Sequence, residues 1–480
     1  MEGHTMSKKK RKAAAPESAV SPPASPVFEP AAKPAAKAAA AVSATALSEP
    51  APAAPRWILA ALLTLYTVLT LLLIACVPSA ATPDEAGHWQ YVEHLAVTRS
   101  LPVFKGQPPP EPGYEFHQPP LYYLLCAPLW AGLPAGAQQY ACRFVALLCG
   151  LATVFVVWKT ARRVFPDDPL LPGLAAFIAA LSPLHQGVNA SSNNDSLGGL
   201  IAALLFALTA RAFLQPVSWR AIFWLGLVAG AGLWTKNTCL VVAAMAFAGL
   251  FWALKNQNQD EKTPSPGAGT LCAIAVMLAV GAPLLWRNQW LYGDPLGVQM
   301  FSRAASKETL GFPEFSEIVS LGGYARGLLW QIFLTAWGFF GGPTTVANLT
   351  RPLSAGGPRV PQGWIFLAFP MLLCALLPLL CVLGWRRLPP LDDARRRLWT
   401  VWSGGAALVF LAWAQFAYAH FSGGQARYLH PAFLPICLFA AAGWVGLWGR
   451  GRAFWVATAA SGALMLGLTL LNLILWRTLV

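Results

Sequence analysis

The chain has 480 residues, of which 56% are hydrophobic and only 11% charged, against about 25% charged in an ordinary soluble domain. The net charge of +14 does not point to nucleic acid, because no basic stripe is interleaved with exposed aromatics; it fits positive-inside anchoring and anionic lipid head groups. The nine cysteines are odd in number, form no CxxC and lie in or beside apolar runs, which speaks against a disulfide framework or a zinc site.

Residues 1–55 are rich in Ala, Pro, Lys and Ser, carry the run KKKRK at Lys8–Lys12 and contain no apolar h-region. They are expected to form a disordered cytoplasmic tail, with the first span as an uncleaved anchor. Apolar runs near the length of a bilayer crossing then recur, predicting about eleven transmembrane helices. They cover 57–78, 139–162, 169–186, 196–214, 219–234, 237–254, 268–289, 364–385, 399–420, 429–448 and 453–475. Two shorter stretches, Leu121–Leu133 and Gly327–Phe340, are read as interfacial. If they crossed, the turns holding Lys159, Arg162, Arg163, Arg211, Arg220, Lys255 and Lys262 would lie outside, against the positive-inside bias. The fold class is therefore an all-α polytopic membrane protein with interfacial helices in the first and fourth outer loops. Two long outer loops, 79–138 and 290–363, are the expected seats of function.

In chain order, Pro83-Asp84-Glu85 opens a short helix just after the first span, and His88 shares a helical face with Asp84. Asp84 reads either as a carboxylate that accepts a proton from an acceptor hydroxyl or as a helix cap; Glu85 and His88 stand beside it as substrate contacts. Phe116-His117-Gln118-Pro119-Pro120 offers His117 as a second contact, or as a loop histidine. Asp195 is the only acid in the polar turn from His185 to Ser196, again either catalytic or a cap. Lys236, in a tight turn and without an adjacent acid, reads either as a lysine snorkelling to the interface or as the strongest candidate for a phosphate contact, because a cation at a helix start is unfavourable unless an anion is shared. Arg287 and Arg427, at the outer ends of later spans, read singly as interface anchors or together as residues that could share that charge, with Tyr428 beside them. Asp84, Glu85, His88 and His117 offer a mixed O/N set, so a divalent metal stays open although their spacing matches no strong metal motif. No phosphate-cradling P-loop or dinucleotide fingerprint occurs, so any donor is expected to come from the membrane.

These motifs together resemble the polytopic C-type glycosyltransferases, the group that includes protein O-mannosyltransferases and the lipid A aminoarabinose transferase. The resemblance rests on Pro83-Asp84-Glu85, His117-Gln118-Pro119-Pro120-Leu121-Tyr122-Tyr123, Asn194-Asp195, Thr235-Lys236 and Arg427-Tyr428-Leu429-His430-Pro431. It covers 57–480 as architecture. It implies a transmembrane domain over 56–480, two interfacial helices between the first and second spans, Asp84 as the catalytic or metal-associated carboxylate, and Lys236 on the donor phosphate. His117 departs from the pattern, since some members have a lysine there. The 480 residues also include no large soluble C-terminal domain, an expectation against protein N-glycosylation.

The activity implied is an inverting transfer of a sugar from a polyprenyl-phosphate donor to an envelope glycan, lipid or protein hydroxyl, in the cell inner membrane and on its periplasmic face. The alternatives are a lipid or oligosaccharide transporter, which would need a polar path through the bilayer, and a glycan polymerase or ligase using a diphosphate-linked donor.

Overall fold

The computed structural model describes residues 56–257, 263–305, 311–337, 379, 382–387 and 390–478. The regular elements described are all helical. The first half comprises α1 (Arg56–Cys76), α2 (Glu85–Thr98), a 3-10 turn (Tyr114–His117), α3 (Leu121–Gly132), α4 (Gln139–Val164), α5 (Leu171–Leu181), α6 (Pro183–Asn189) and α7 (Asp195–Leu214). Then come α8 (Trp219–Leu233), α9 (Thr238–Lys255), α10 (Pro266–Tyr292), α11 (Val298–Ala305), the one-turn α12 (Phe312–Phe315) and α13 (Leu321–Ala336). The last group is α14 (Asp393–Ala419), two 3-10 turns (Phe421–Gly423 and Ala426–Ala432), α15 (Phe433–Trp448) and α16 (Arg452–Thr478).

Among the described residues eight helices are long and apolar enough to cross a membrane: α1, α4, α7, α9, α10, α14, the stretch Ala426–Trp448 that ends in α15, and α16. A ninth crossing is formed if α5 and α6 act together, bent by 56°. The break falls at Pro183, which has no N–H to continue the helix, and Ser182 instead caps His185 N at 3.4 Å. Helix α8, with 15 residues, covers only about 22 Å and falls short of the hydrocarbon thickness on its own. The predicted span 364–385 lies mostly outside the described residues. The all-α polytopic class holds, while the described residues account for eight to nine of the eleven crossings expected.

Leu121–Gly132 behaves as expected for a helix that does not cross. Arg143, near the start of α4, donates to the carbonyls of Ile74 (3.1 Å) and Val77 (2.8 Å) at the end of α1. The chain between α1 and α4 therefore leaves and re-enters the bundle at one end. Helix α3 packs on α2 there, and its first N–H, of Leu121, donates to Trp234 O at 2.7 Å. At its start α7 seats the turn Ala426–Ala432, and along its length it packs on α4 and α9. In lipid, such packing and interhelical polar contacts, not apolar transfer, hold helices together.

Candidate functional site

Asp84 immediately precedes α2 with φ of 65°, in the left-handed region that Asp tolerates better than most residues. Its carboxylate makes no capping bond to α2. Instead Oδ1 accepts from the Tyr114 hydroxyl at 3.2 Å and Oδ2 from Arg427 Nη2 at 2.5 Å. The strained conformation thus aims the side chain away from its own helix. Burial pushes the Asp84 carboxyl up, but the charge and hydrogen bond of Arg427 outweigh it and hold the group below the usual carboxylate range. Tyr114 reaches Asp84 because position 87 is glycine: a Cβ there would lie 2.6 Å from the Tyr114 ring.

Four charges of alternating sign follow one another. Arg427 Nη1 lies 3.8 Å from Asp195 Oδ2, and Asp195 Oδ1 receives Lys236 Nζ at 2.5 Å. Asn194 Oδ1 is a further acceptor for Lys236 at 3.4 Å. Asn193 Oδ1 accepts from Ser196 N at 3.2 Å, which leaves the Asp195 carboxylate free to face the lysine. The aromatic ring of Tyr428 lies beneath both cations, 5.1 Å from the Arg427 guanidinium and 5.5 Å from the Lys236 ammonium, within cation–π range. The turn carrying Arg427 seats on α7 at Gly199, where a Cβ would sit 2.2 Å from His430 Nδ1.

These residues open on a cavity of about 390 Å³. Its polar end holds Asp84, Asp195, Lys236 and Arg427, and its apolar wall includes Val241 of α9 and Val409, Ala412, Trp413 and Phe416 of α14. The four α14 residues recur at the spacing of one helical face. The Asp84 side chain remains 34% exposed, against 7% for Arg427 and 5% for Asp195, so the carboxylate is the part of the array most open to a reactant.

Three titratable groups of the first outer loop complete the polar end. Glu115 is buried, and one carboxyl oxygen, Oε2, has no hydrogen-bond partner. Burial first, and the Asp84 charge second, push its pKa up to about 8, so near neutral pH most of it carries a proton and can donate one hydrogen bond. Burial lowers His88 to about 3 and His117 to about 4. Both are therefore neutral imidazoles: His88 Nδ1 meets the Tyr123 hydroxyl at 2.8 Å, and His117 stacks on Phe301 with ring centroids 4.1 Å apart. His117 brings no positive charge to an anion.

The structure gathers Asp84, His88, His117, Asp195, Lys236, Arg427 and Tyr428 around one cavity, and it leaves Glu85 and Arg287 out. Glu85 is fully buried and turned away from the cavity, accepting from Arg143 Nε and Nη2 at 2.9 Å each and from Ser192 N at 3.0 Å. Arg287 Nη2 donates to the carbonyls of Leu101 and Pro102 at 3.3 and 2.6 Å, which holds the outer loop against α10. Lys236 does have an acid partner, because α7 brings Asp195 to it from 41 residues away. The mixed metal set is not assembled: among the described residues no three His, Cys, Asp or Glu side chains form a group that could hold an ion. Sequence reading passed over Tyr114, Glu115 and Arg143. Arg143 had a signal, since an arginine in the second turn of an apolar span requires a buried partner.

The Arg143–Glu85 pair fastens α2, and with it Asp84, to α1 and α4. Arg143→Ala would leave an uncompensated buried carboxylate, at a cost of about 3–5 kcal/mol. A clear drop in the unfolding midpoint in detergent is expected, and a midpoint equal to that of the unaltered protein would refute this role.

Residues 117–286 match the dolichyl-phosphate-mannose-protein mannosyltransferase family. The resemblance read from the motifs holds over that segment, which includes His117, Asp195 and Lys236 but neither Asp84 nor Arg427. No curated protein matches the chain in sequence. Among solved structures, an oligosaccharyltransferase from Archaeoglobus fulgidus superposes with a TM-score of 0.48 at 12% identity, covering 86% of this chain and 52% of that one. AglB from the same organism, in complex with an inhibitory peptide and a dolichol-phosphate, gives 0.44 at 11% identity, with 87% and 55% covered. ArnT from Cupriavidus metallidurans bound to undecaprenyl phosphate gives 0.40 at 13% identity, with 82% and 77% covered. The chain spans about half the length of the archaeal oligosaccharyltransferases.

Proposed function

We propose that the protein is a membrane glycosyltransferase that moves a sugar from a polyprenyl-phosphate donor to an acceptor hydroxyl, with inversion at the anomeric carbon. The observation that carries this reading is the array Asp84–Arg427–Asp195–Lys236 at the polar end of a cavity with an apolar wall. A phosphate needs the cations, a prenyl tail needs the wall, and an attacking hydroxyl needs a carboxylate open to the cavity. The family match over 117–286 supports the same chemistry.

In this mechanism the acceptor oxygen bonds to the anomeric carbon as the bond from that carbon to the phosphate oxygen breaks. The electron pair of the broken bond leaves with the polyprenyl phosphate, and the acceptor proton passes to Asp84. Because Arg427 holds Asp84 ionised, the carboxylate is ready as a base, and its modest basicity suits proton transfer late in the displacement. Lys236 and Arg427 meet the charge growing on the leaving phosphate, and Asp195 positions Lys236. The cationic residues Lys159, Arg162, Arg163, Arg211 and Arg220 lie at the opposite end of the helices, and the positive-inside bias supports a site on the non-cytoplasmic face.

The direct test supplies purified protein with radiolabelled polyprenyl-phosphate monosaccharides and an envelope extract as acceptor. Protein-dependent release of polyprenyl phosphate together with labelled product is expected. Transfer from diphosphate-linked oligosaccharides alone would replace this reading with that of a polymerase or ligase, and movement of donor without product would replace it with transport.

A further inference from the structure

A second cleft, of about 650 Å³, lies at the other end of the bundle. Helix α7 runs from Asp195 at the first site to Leu214 at this cleft, and its 20 residues put the two about 30 Å apart. Four cations line the cleft: Lys159, Arg162 and Arg163 from the last turns of α4, and Arg395 from the first turn of α14. Among the described residues Asp392 is its one lining carboxylate, and Arg395 already holds it. Arg395 Nε also donates to Val164 O at 2.5 Å, which closes α14 onto the end of α4. Among the described residues Lys159, Arg162 and Arg163 have no carboxylate partner.

Aromatic rings hold two of these cations in place. The Arg162 guanidinium lies 4.8 Å over Trp158 and the Lys159 ammonium 5.7 Å over Phe155. From Phe155 an apolar stripe descends α4 through Leu148 and Phe144, which are 41%, 48% and 48% exposed respectively. Their spacing puts them on one side of the helix, facing lipid. A free phosphate would use the cations and leave this stripe unused, whereas a phospholipid uses both. Basic clefts between membrane helices on the positively charged side are suited to such head groups.

We propose that this cleft seats the phosphate head group of an anionic membrane phospholipid, with acyl chains against the Phe144–Phe155 side of α4. The site is separate from the Asp84 cavity, and its assignment does not depend on the reaction catalysed there.

The test titrates the full chain in detergent with phosphatidylglycerol and with phosphatidylcholine, and bound lipid is read by native mass spectrometry. A parallel arm adds inorganic phosphate as competitor. Phosphatidylglycerol should be retained over phosphatidylcholine, and affinity should fall about five-fold for each cation removed, in Lys159→Gln and in Arg162→Gln with Arg163→Gln. Arg220→Gln, an exposed cation at the same end that does not line the cleft, should change nothing. Lys159 is itself exposed, so its variant keeps the test decisive if the double variant does not fold. Equal retention of the two lipids, or a loss in Arg220→Gln as large as that in Lys159→Gln, overturns the proposal. So does displacement of phosphatidylglycerol by millimolar inorganic phosphate.

Discussion

Asp84→Asn is expected to lower the rate of sugar transfer by about 10³-fold, within the range for loss of a positioned general base. Asparagine keeps the shape: its one carbonyl oxygen can still accept from Arg427 while its amide N–H donates to the Tyr114 hydroxyl, but it cannot take the acceptor proton. The group is a third open to the cavity, and Arg427 keeps Asp195 within 3.8 Å as a counter-charge, so folding should be nearly unaffected. Donor affinity, measured by competition with polyprenyl phosphate, should change by less than about three-fold, because the proton moves only as the reaction proceeds. Asp84→Glu separates reach from charge: it restores an acid but lengthens it by one methylene in a site already closed by Tyr114 and Arg427. A transfer rate for Asp84→Asn within ten-fold of the unaltered enzyme would remove Asp84 from the chemistry.

Lys236→Met should cost about 10²–10³-fold in transfer rate, equivalent to about 3–4 kcal/mol for loss of one preorganised donor to developing charge. The apolar stem is kept, so lost packing contributes little. Because Lys236 pairs with Asp195, a purely structural role would predict something different: Asp195→Asn would then be as harmful as Lys236→Met, and both would act through stability. If the lysine serves the leaving phosphate, Lys236→Arg retains most of the activity, and Asp195→Asn acts mainly by misplacing the cation. The readouts are kcat and the unfolding midpoint for the three variants. Loss of activity in Lys236→Met that tracks loss of folded protein would defeat the phosphate assignment.

Part of this site was legible along the chain. Pro83-Asp84-Glu85 at the end of the first span and Thr235-Lys236 between two later ones could be placed on one side of the bilayer. Span length and the lysine and arginine content of short turns are local properties, and together they set which loops share a face. The same reasoning placed Leu121–Leu133 outside the set of crossing helices, and Arg143 reaching back to Ile74 and Val77 agrees with it.

What the tertiary structure alone decided is the pairing. Asp84 and Glu85 are neighbours, yet Asp84 precedes α2 in the left-handed region while Glu85 is the first residue of the helix, so one faces the cavity and the other faces Arg143 in the core. Arg427 reaches Asp84 across 343 positions of sequence, and Arg287, equally basic and also in the outer half, turns to backbone carbonyls instead. Hydropathy and charge bias assign each residue a depth and a side of the membrane. They carry no information on which helices become neighbours, and charges act through distances of a few ångström, which are set by that neighbourhood.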